Sequence, residues 1–177
     1  ELQSADGNVS TSDALAGKKA VAIYFSAHWC PPCRNFTPNL AKWYTTSLQA
    51  KGLEVVFVSG DRDATSFANY FGEMPWLAVP FADKGLTSAL NTKFGVSGIP
   101  CLVIVDAETG ELITKDGRSA VTQDPTGNNF PWGSAPAAGA STGTGTPLEL
   151  LGKAGLMVTG SSSLENGAAC MSGKTVG

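Results

Sequence analysis

The 177-residue sequence predicts an α/β fold with a central mixed β-sheet and helices on both of its faces. Two observations lead to this class. Apolar runs typical of buried strands alternate with segments whose apolar residues recur every three or four positions, as on one face of a helix. Such alternation favours parallel strands joined by helices. Near residue 110, two strands then follow each other directly and predict a hairpin, which adds an antiparallel strand.

The individual elements are expected in a simple order along the chain. That order is an edge strand near Val9, a strand at 20–26, a helix at about 31–50, a strand at 53–59, helices at 65–71 and 87–94, and strands at 101–105 and 111–114. Pro38 lies inside the long helix and predicts a kink, because proline removes a backbone hydrogen bond one turn earlier. Residues 74–81 form an apolar segment punctuated by two prolines.

Composition divides the chain into two parts. Hydrophobic residues make up 42% of the chain, which allows a sizeable core. Residues 133–146 are almost entirely Gly, Ala, Ser, Thr and Pro, and such a segment cannot bury enough apolar area to offset the entropy of ordering it. We therefore expect a folded domain at 1–132 and a disordered C-terminal extension at 133–177.

Charge and cysteine usage exclude several function classes. The net charge is only −3 and no basic patch is visible, which argues against nucleic-acid binding. No apolar run is long enough to span a bilayer, and the first residues do not resemble a signal peptide. Two of the four cysteines are isolated, which suits a reducing compartment. The expected protein is cytoplasmic and monomeric, with no membrane contact, metal or other cofactor.

The strongest local signal is the segment 29–34, Trp-Cys-Pro-Pro-Cys-Arg, which follows a strand and opens a helix. Cys30 meets unsatisfied N–H groups and the positive end of the helix dipole, so it should ionise more readily than a free cysteine, whose pKa is about 8.5. Pro31 fits the first helical turn and stiffens the ring that Cys30 and Cys33 can form. The pattern predicts dithiol–disulfide exchange, although C-x-x-C alone leaves half of a zinc site as an alternative.

Further motifs follow in order along the chain. They are Phe25-Ser-Ala-His-Trp-Cys-Pro-Pro-Cys-Arg34, Phe36-Thr37-Pro38, the apolar segment 74–81, Ile99-Pro100 before a strand, Asp124-Pro125, and Phe130-Pro131-Trp132. This series resembles the tryparedoxin and nucleoredoxin branch of the thioredoxin superfamily. The resemblance spans about residues 15–132 and implies a thioredoxin fold.

The resemblance also implies roles for individual residues. Cys30 is the exposed nucleophile that attacks a substrate disulfide, and the more buried Cys33 resolves the mixed disulfide. Pro100 is implied to be a cis-proline facing the active site, which leaves the backbone of Ile99 to pair with an extended substrate segment. Ile99 and Arg118 match contacts that tryparedoxins make with their small thiol substrate.

Neighbouring side chains each have two interpretations. Tyr24 occupies the position of a buried Asp in typical thioredoxins, so proton transfer to the resolving cysteine must use water, Tyr24 or another acid. Asp61 is either such an acid or a cap on the following helix. His28 either tunes the nucleophile near neutral pH or is an exposed spectator. Arg34 either adds positive charge near the ring or forms a surface salt bridge.

Two tryptophans and the two isolated cysteines also have more than one interpretation. Trp29 is expected as a partly exposed lid beside the nucleophile, with core packing as the alternative. Trp76 packs in the core or contacts substrate. Cys101 is either a small buried residue or a third redox thiol, and Cys170 lies in the extension.

Together these features predict a thiol–disulfide oxidoreductase that reduces protein disulfides, with peroxiredoxins as candidate targets and a small thiol or a reductase as electron donor. Tryparedoxins carry Trp and Glu where this chain has Gly60 and Arg62, so the donor is left open. One alternative is a redox-gated binding module of nucleoredoxin type, for which the segment 74–81 could supply a contact. Another is a metal held by Cys30, Cys33 and Cys101 between protomers.

Overall fold

A computed structural model of the protein describes residues 1–133, which form one mixed β-sheet with helices on both faces. The strands are β1 (Leu2–Ser4), β2 (Gly7–Val9), β3 (Ala20–Ser26), β4 (Leu53–Ser59), β5 (Leu77–Ala78), β6 (Cys101–Asp106) and β7 (Leu112–Thr114). The helices are α1 (Thr11–Leu15), α2 (Pro31–Trp43), α3 (Ala64–Phe71), α4 (Lys84–Phe94) and α5 (Gly117–Gln123). The thioredoxin fold predicted from the sequence is confirmed.

The central strand β3 determines where the C-x-x-C segment lies. The sheet order is β2-β1-β5-β4-β3-β6-β7, and β3 pairs parallel with β4 and antiparallel with β6. In this register Phe25 lies opposite Cys101, and Ser26 lies opposite Ser59. The loop after β3 is therefore flanked by the residues that precede β6 and by those that follow β4.

Alternation along β3 separates two hydrophobic cores. Ala20, Ala22 and Tyr24 face the core that α2, α3 and α5 cover, whereas Val21, Ile23 and Phe25 face the core that α1 and α4 cover. All seven residues of β3 are buried. Burial on both faces explains why this strand has an almost uninterrupted apolar sequence.

The structure extends the sequence-based assignment in several places. Strands at 20–26, 53–59 and 101–105 and the hairpin strand are confirmed, with β6 antiparallel to β3 rather than part of the parallel set. The long helix runs through Pro38 to Trp43, continues as a π-turn at Tyr44–Leu48 and a 3₁₀ turn at Gln49–Lys51, and ends at Gly52, whose φ is 98°.

Four elements were not predicted: β1, α1, β5 and α5. Helix α5 lacks a clear apolar periodicity and is set by its close approach to β6. A Cβ at Gly117 would lie 2.6 Å from the carbonyl oxygen of Leu102, so only glycine allows this approach. The proposed extension at 133–177 lies outside the described residues apart from Gly133, and the division into two parts stays a prediction. No helix within residues 1–133 is long and apolar enough to cross a membrane.

Candidate active site

Cys30 and Cys33 form a disulfide at the N-terminus of α2. Cys30 is the N-cap residue, and its Sγ accepts a hydrogen bond of 3.3 Å from the backbone N–H of Cys33. Pro31 follows in the first turn and is exposed, where its missing N–H costs the helix nothing. The arrangement aims a helix N-terminus at the first sulfur, which favours negative charge there.

The two sulfurs differ less in exposure than expected. Cys33 is fully buried, as predicted, but Cys30 is only 4% exposed in this disulfide form. The expectation of an exposed Cys30 is therefore wrong here, because Ala27 and Ile99 pack against the pair. The access of a substrate to the Cys30 sulfur is therefore limited by Ala27 and Ile99.

Ile99 and Pro100 lie directly against the disulfide. The antiparallel register of β6 brings them beside the loop that follows β3, and the Ile99–Pro100 peptide bond is cis, as the resemblance implied. The Sγ atom of Cys30 lies 3.8 Å from the carbonyl oxygen of Ile99. Backbone polar groups are thus available next to the reactive sulfur.

Arg118 reaches the same region from α5. Its Nη1 donates a 3.2 Å hydrogen bond to the carbonyl oxygen of Pro100, and its guanidinium lies 5.4 Å from the centre of the Phe36 ring. Its Nε is buried and has no hydrogen-bond partner. Arg118 also lines a cavity of about 250 Å³ with Asp116, Ser119, Thr122 and Gln123. Arg118 is therefore tied to the Pro100 backbone and also borders this cavity.

Trp29 is the most exposed aromatic side chain of the site, at 57%. Its indole N–H donates a 3.0 Å hydrogen bond to the carbonyl oxygen of Gly60, and the N–H of Gly60 in turn donates to the carbonyl of Ser26. The core-packing alternative for Trp29 is excluded. The exposed indole is therefore anchored to the loop after β4, one residue before Cys30.

The Asp61 carboxylate also links the loop after β3 to the end of β4. It is 6% exposed, and it accepts hydrogen bonds of 2.8 Å from the backbone N–H of His28 and from the hydroxyl of Ser59. It does not cap α3, so that alternative is wrong. The cap is Asp63, whose pKa is lowered chiefly by hydrogen bonds from the N–H and hydroxyl of Ser66.

His28 and Arg34 differ in how far their side chains are exposed. The His28 ring is half-buried and lies 5.6 Å from the Tyr70 ring, so it is not a freely exposed spectator. The Arg34 side chain is exposed. Within residues 1–133 the ion pair found is Lys18–Glu54, so the predicted salt bridge of Arg34 is absent from this part of the chain.

Tyr24 belongs to a group of buried hydroxyls that sequence reasoning did not assemble. Its hydroxyl contacts those of Thr37 and Ser26, and both of these contact Tyr70. Burial, followed by the neighbouring Tyr70, raises the pKa of Tyr24 well above its ordinary value, so the phenol stays neutral. The available signal was Thr37, which lies one helical turn after Cys33 on the same face.

Three other interpretations are settled by burial. Trp76 is 4% exposed and packs edge-on against Tyr24 and Tyr44, so it is a core residue. Four of the eight residues of the segment 74–81 are buried and only Pro75 is exposed, which argues against its use as a contact surface. Cys101 is fully buried in the core covered by α1 and α4.

The metal alternative has no support in the described part of the chain. Within residues 1–133 no group of three potential ligands could hold a metal ion. Cys170 lies outside the described residues.

The loop that follows β4 has room for a Cβ at position 60. A Cβ at Gly60 would make ordinary contacts of 3.6 Å or more, with Ile99 among its neighbours. Arg62 is exposed on the same loop. The backbone at position 60 therefore accepts a Cβ without a clash, and Arg62 places a positive charge on this loop.

Comparison with known proteins places this site in a family. The thioredoxin-like family model matches residues 17–112. Tryparedoxin from Trypanosoma brucei brucei is 48% identical over 131 residues, covering 74% of this chain and 90% of that protein. Nucleoredoxin from Danio rerio is 46% identical over 127 residues, which is 71% of this chain but 30% of that protein. A solved structure of tryparedoxin II complexed with glutathionylspermidine is 43% identical with a TM-score of 0.70, covering 75% of this chain and 91% of the other.

These matches cover the whole region in which the disulfide, the cis-proline and the Trp29 loop are found. The identity is similar to the tryparedoxin and to the nucleoredoxin, although this chain spans less than a third of the latter. The chain belongs to the thioredoxin-like family of oxidoreductases, in the branch that contains tryparedoxins and nucleoredoxins.

Proposed function

We propose that this protein reduces protein disulfides through the Cys30–Cys33 dithiol. The thiolate of Cys30 attacks a substrate disulfide and forms a mixed disulfide, and one substrate sulfur leaves as a thiolate. Cys33 then loses its proton and attacks Cys30, which releases the second substrate thiol and leaves the Cys30–Cys33 disulfide. Two electrons pass from the protein to the substrate in this cycle.

The observation that carries the proposal is the geometry around Cys30. The sulfur accepts the Cys33 N–H at the helix N-terminus and lies 3.8 Å from the Ile99 carbonyl. The Cys33 N–H and the helix N-terminus stabilise negative charge on the nucleophile. The Ile99 backbone beside it can pair with an extended substrate segment. Trp29 and Pro31, both exposed, would form the rim that the substrate contacts.

A small thiol or a reductase returns the electrons. Arg118, which donates to the Pro100 carbonyl and borders the cavity along α5, is the cationic group that would bind a carboxylate of a glutathione-type donor. One tryparedoxin has been solved with glutathionylspermidine, but Gly60 and Arg62 differ from the Trp and Glu of that branch. A donor without a polyamine therefore fits this surface better, since Arg62 would repel a polycation.

Peroxiredoxin-type proteins are the proposed targets, on the basis of the resemblance to tryparedoxins. We further propose that residues 1–132 form the catalytic unit, that residues 133–177 are an extension of it, and that the protein works as a monomer in the reducing environment of the cytoplasm.

The test is a turnover assay with insulin or a peroxiredoxin as substrate and a panel of reductants: thioredoxin reductase, glutathione and trypanothione. We expect turnover with at least one donor, lost in Cys30→Ser. Absence of turnover with every donor, in a protein that is folded by circular dichroism, would contradict the proposal.

One observation favours a second candidate, a redox-gated binding module with little turnover. Cys30 is only 4% exposed, and nucleoredoxins are as similar to this chain as the tryparedoxin is. In that case a partner would bind the oxidised and reduced forms with different affinity in the absence of catalysis. Calorimetric titration of both forms with one peroxiredoxin, run beside the turnover assay, separates the two functions.

A further inference from the structure

Behind the disulfide, four buried hydroxyl groups form what we call the hydroxyl cluster, which consists of Tyr24, Ser26, Thr37 and Tyr70. Each of these residues is at most 2% exposed. Tyr24 and Ser26 come from β3, Thr37 from α2 and Tyr70 from α3. The cluster therefore joins the three elements that surround the C-x-x-C segment.

The contacts of the cluster centre on Thr37. Its Oγ1 lies 2.9 Å from the hydroxyl of Tyr24 and 2.5 Å from that of Tyr70. The Ser26 hydroxyl lies 3.0 Å from each tyrosine. Thr37 Oγ1 also donates a 3.0 Å hydrogen bond to the backbone carbonyl of Cys33. Thr37 is thus the member of the cluster that reaches the redox pair.

A count of protons shows that these contacts compete. Each hydroxyl carries one proton, so the cluster has four protons, whereas it makes five contacts, including the one to the Cys33 carbonyl. In one arrangement Thr37 donates to that carbonyl while both tyrosines donate to Thr37. In the other arrangement the four hydroxyls form a closed ring of hydrogen bonds. Tyr24 donates to Thr37, Thr37 to Tyr70, Tyr70 to Ser26 and Ser26 to Tyr24, and the Cys33 carbonyl then has no hydroxyl donor.

The cluster also touches the other side of the redox pair. The Tyr70 ring packs at 5.6 Å against the ring of His28, two residues before Cys30. Ser26 is the last residue of β3, directly before the loop that carries Cys30. Changes at the cluster can therefore act on the backbone around both cysteines.

We propose that the hydroxyl cluster sets the redox equilibrium of the Cys30–Cys33 pair, with Thr37 as the positioning residue. In the disulfide form the Thr37 hydroxyl holds the carbonyl of Cys33. When the disulfide is reduced the two sulfurs separate, the backbone of Cys33 shifts with its side chain, and the Thr37 proton turns to Tyr70 and closes the ring. The hydrogen bond to Cys33 then stabilises the disulfide relative to the dithiol.

This proposal rests on the Cys30–Cys33 pair being the redox centre of the proposed function, and it names the residues that tune that centre. Two substitutions separate it from a purely structural role. Thr37→Val removes the donor to Cys33 and should favour the dithiol. Tyr70→Phe leaves three hydroxyl protons for three contacts, so the ring of hydrogen bonds can no longer close. The Thr37 hydroxyl then always donates to the Cys33 carbonyl, which should favour the disulfide. The two variants are expected to move the equilibrium in opposite directions.

The experiment equilibrates the full chain with graded ratios of glutathione and glutathione disulfide. In this exchange the dithiol and one glutathione disulfide give the protein disulfide and two glutathiones. The oxidised fraction of the Cys30–Cys33 peptide is read by alkylation and mass spectrometry. We expect the oxidation constant to fall about fivefold in Thr37→Val, the effect of one ordinary hydrogen bond, and to rise in Tyr70→Phe.

Thr46→Val is the matched control. Thr46 makes the same bond to the carbonyl four residues earlier, Lys42, at 2.8 Å, but it is exposed on the surface, so the constant should stay at the wild-type value. Shifts of the same sign in Thr37→Val and Tyr70→Phe, or no shift in Tyr70→Phe, would overturn the proposal. If Thr37→Val does not fold, Tyr70→Phe still decides. The redox measurement uses no protein substrate, so it can be made even if the protein fails to reduce protein disulfides. Likewise, a redox equilibrium that does not follow this proposal would leave the turnover assay of the proposed function unaffected.

Discussion

Removal of the Asp61 carboxylate tests how the Trp29–Cys30 loop is held. In Asp61→Ala, the N–H of His28 and the hydroxyl of Ser59 lose the acceptor that each reaches at 2.8 Å. A hydrogen bond to a charged group contributes about 1.5–3 kcal/mol, so we expect the free energy of unfolding to fall by about 3 kcal/mol. Because the loop that carries Trp29 is loosened, insulin turnover should fall at least about tenfold.

Two further variants give this prediction its controls. Asp61→Asn keeps an acceptor for the His28 N–H and offers a donor to Ser59, so its loss of stability should stay near 1 kcal/mol or below, roughly one neutral hydrogen bond. Asp63→Ala removes the cap of α3 and should lower stability less than Asp61→Ala does, but it lies outside the loop contact and should leave turnover unchanged. Urea denaturation and the insulin assay measure both effects. The reasoning is refuted if Asp61→Ala behaves like Asp63→Ala in the two assays.

Three other predictions follow from contacts of the site and of the C-terminal part of the domain. Pro100→Ala changes the residue beside the disulfide and should slow the release of mixed disulfides, seen as an adduct that persists in the peroxiredoxin assay; wild-type kinetics would exclude a role for Pro100. The double variant Gly60→Trp, Arg62→Glu should react faster with a spermidine-linked glutathione donor, relative to its rate with plain glutathione. The reasons are that a Cβ fits at position 60 and that the charge facing the polyamine is reversed. An unchanged ratio of the two rates would contradict donor selection by this loop. Although burial raises the pKa of Asp124, donors that include the N–H groups of Asn129 and Asn128 outweigh it and lower that pKa. In Asp124→Asn an amide NH2 group would replace one carboxylate oxygen, either the one that accepts from the Asn129 N–H and the Trp132 indole N–H or the one that accepts from the Asn128 N–H, so the cost near neutral pH should be about 2–3 kcal/mol. The deficit should begin to shrink as the pH falls below the ordinary Asp value of about 3.9 and should vanish as it passes through the lowered pKa of the folded protein; a deficit that does not change in acid would contradict this origin.

The parts of the fold that could be predicted from the sequence are those fixed by local pattern. The strand at 20–26 is recognisable because both of its faces are buried, so nearly every residue is apolar. The helix after Cys30 is recognisable from its spacing and from prolines in the first turn. The cysteine pair needed no long-range information, since both members lie within one turn.

The remaining features depend on contacts between distant segments. Helix α5 is set by the approach of Gly117 to Leu102, which no periodicity in its own sequence reveals. The burial of Cys30 comes from Ile99, which only the register of β6 brings close. Tyr70 reaches Thr37 across 33 residues, so the hydroxyl cluster could not be assembled from spacing alone.

The most direct test of the central claim is to trap the mixed disulfide. Cys33→Ser is incubated with oxidised insulin or peroxiredoxin, and the covalent adduct is mapped by peptide mass spectrometry, with Cys30→Ser as the control. The account predicts an adduct through Cys30 in the first variant and none in the second. An adduct through Cys101 or Cys170, or turnover that survives in Cys30→Ser, would contradict it.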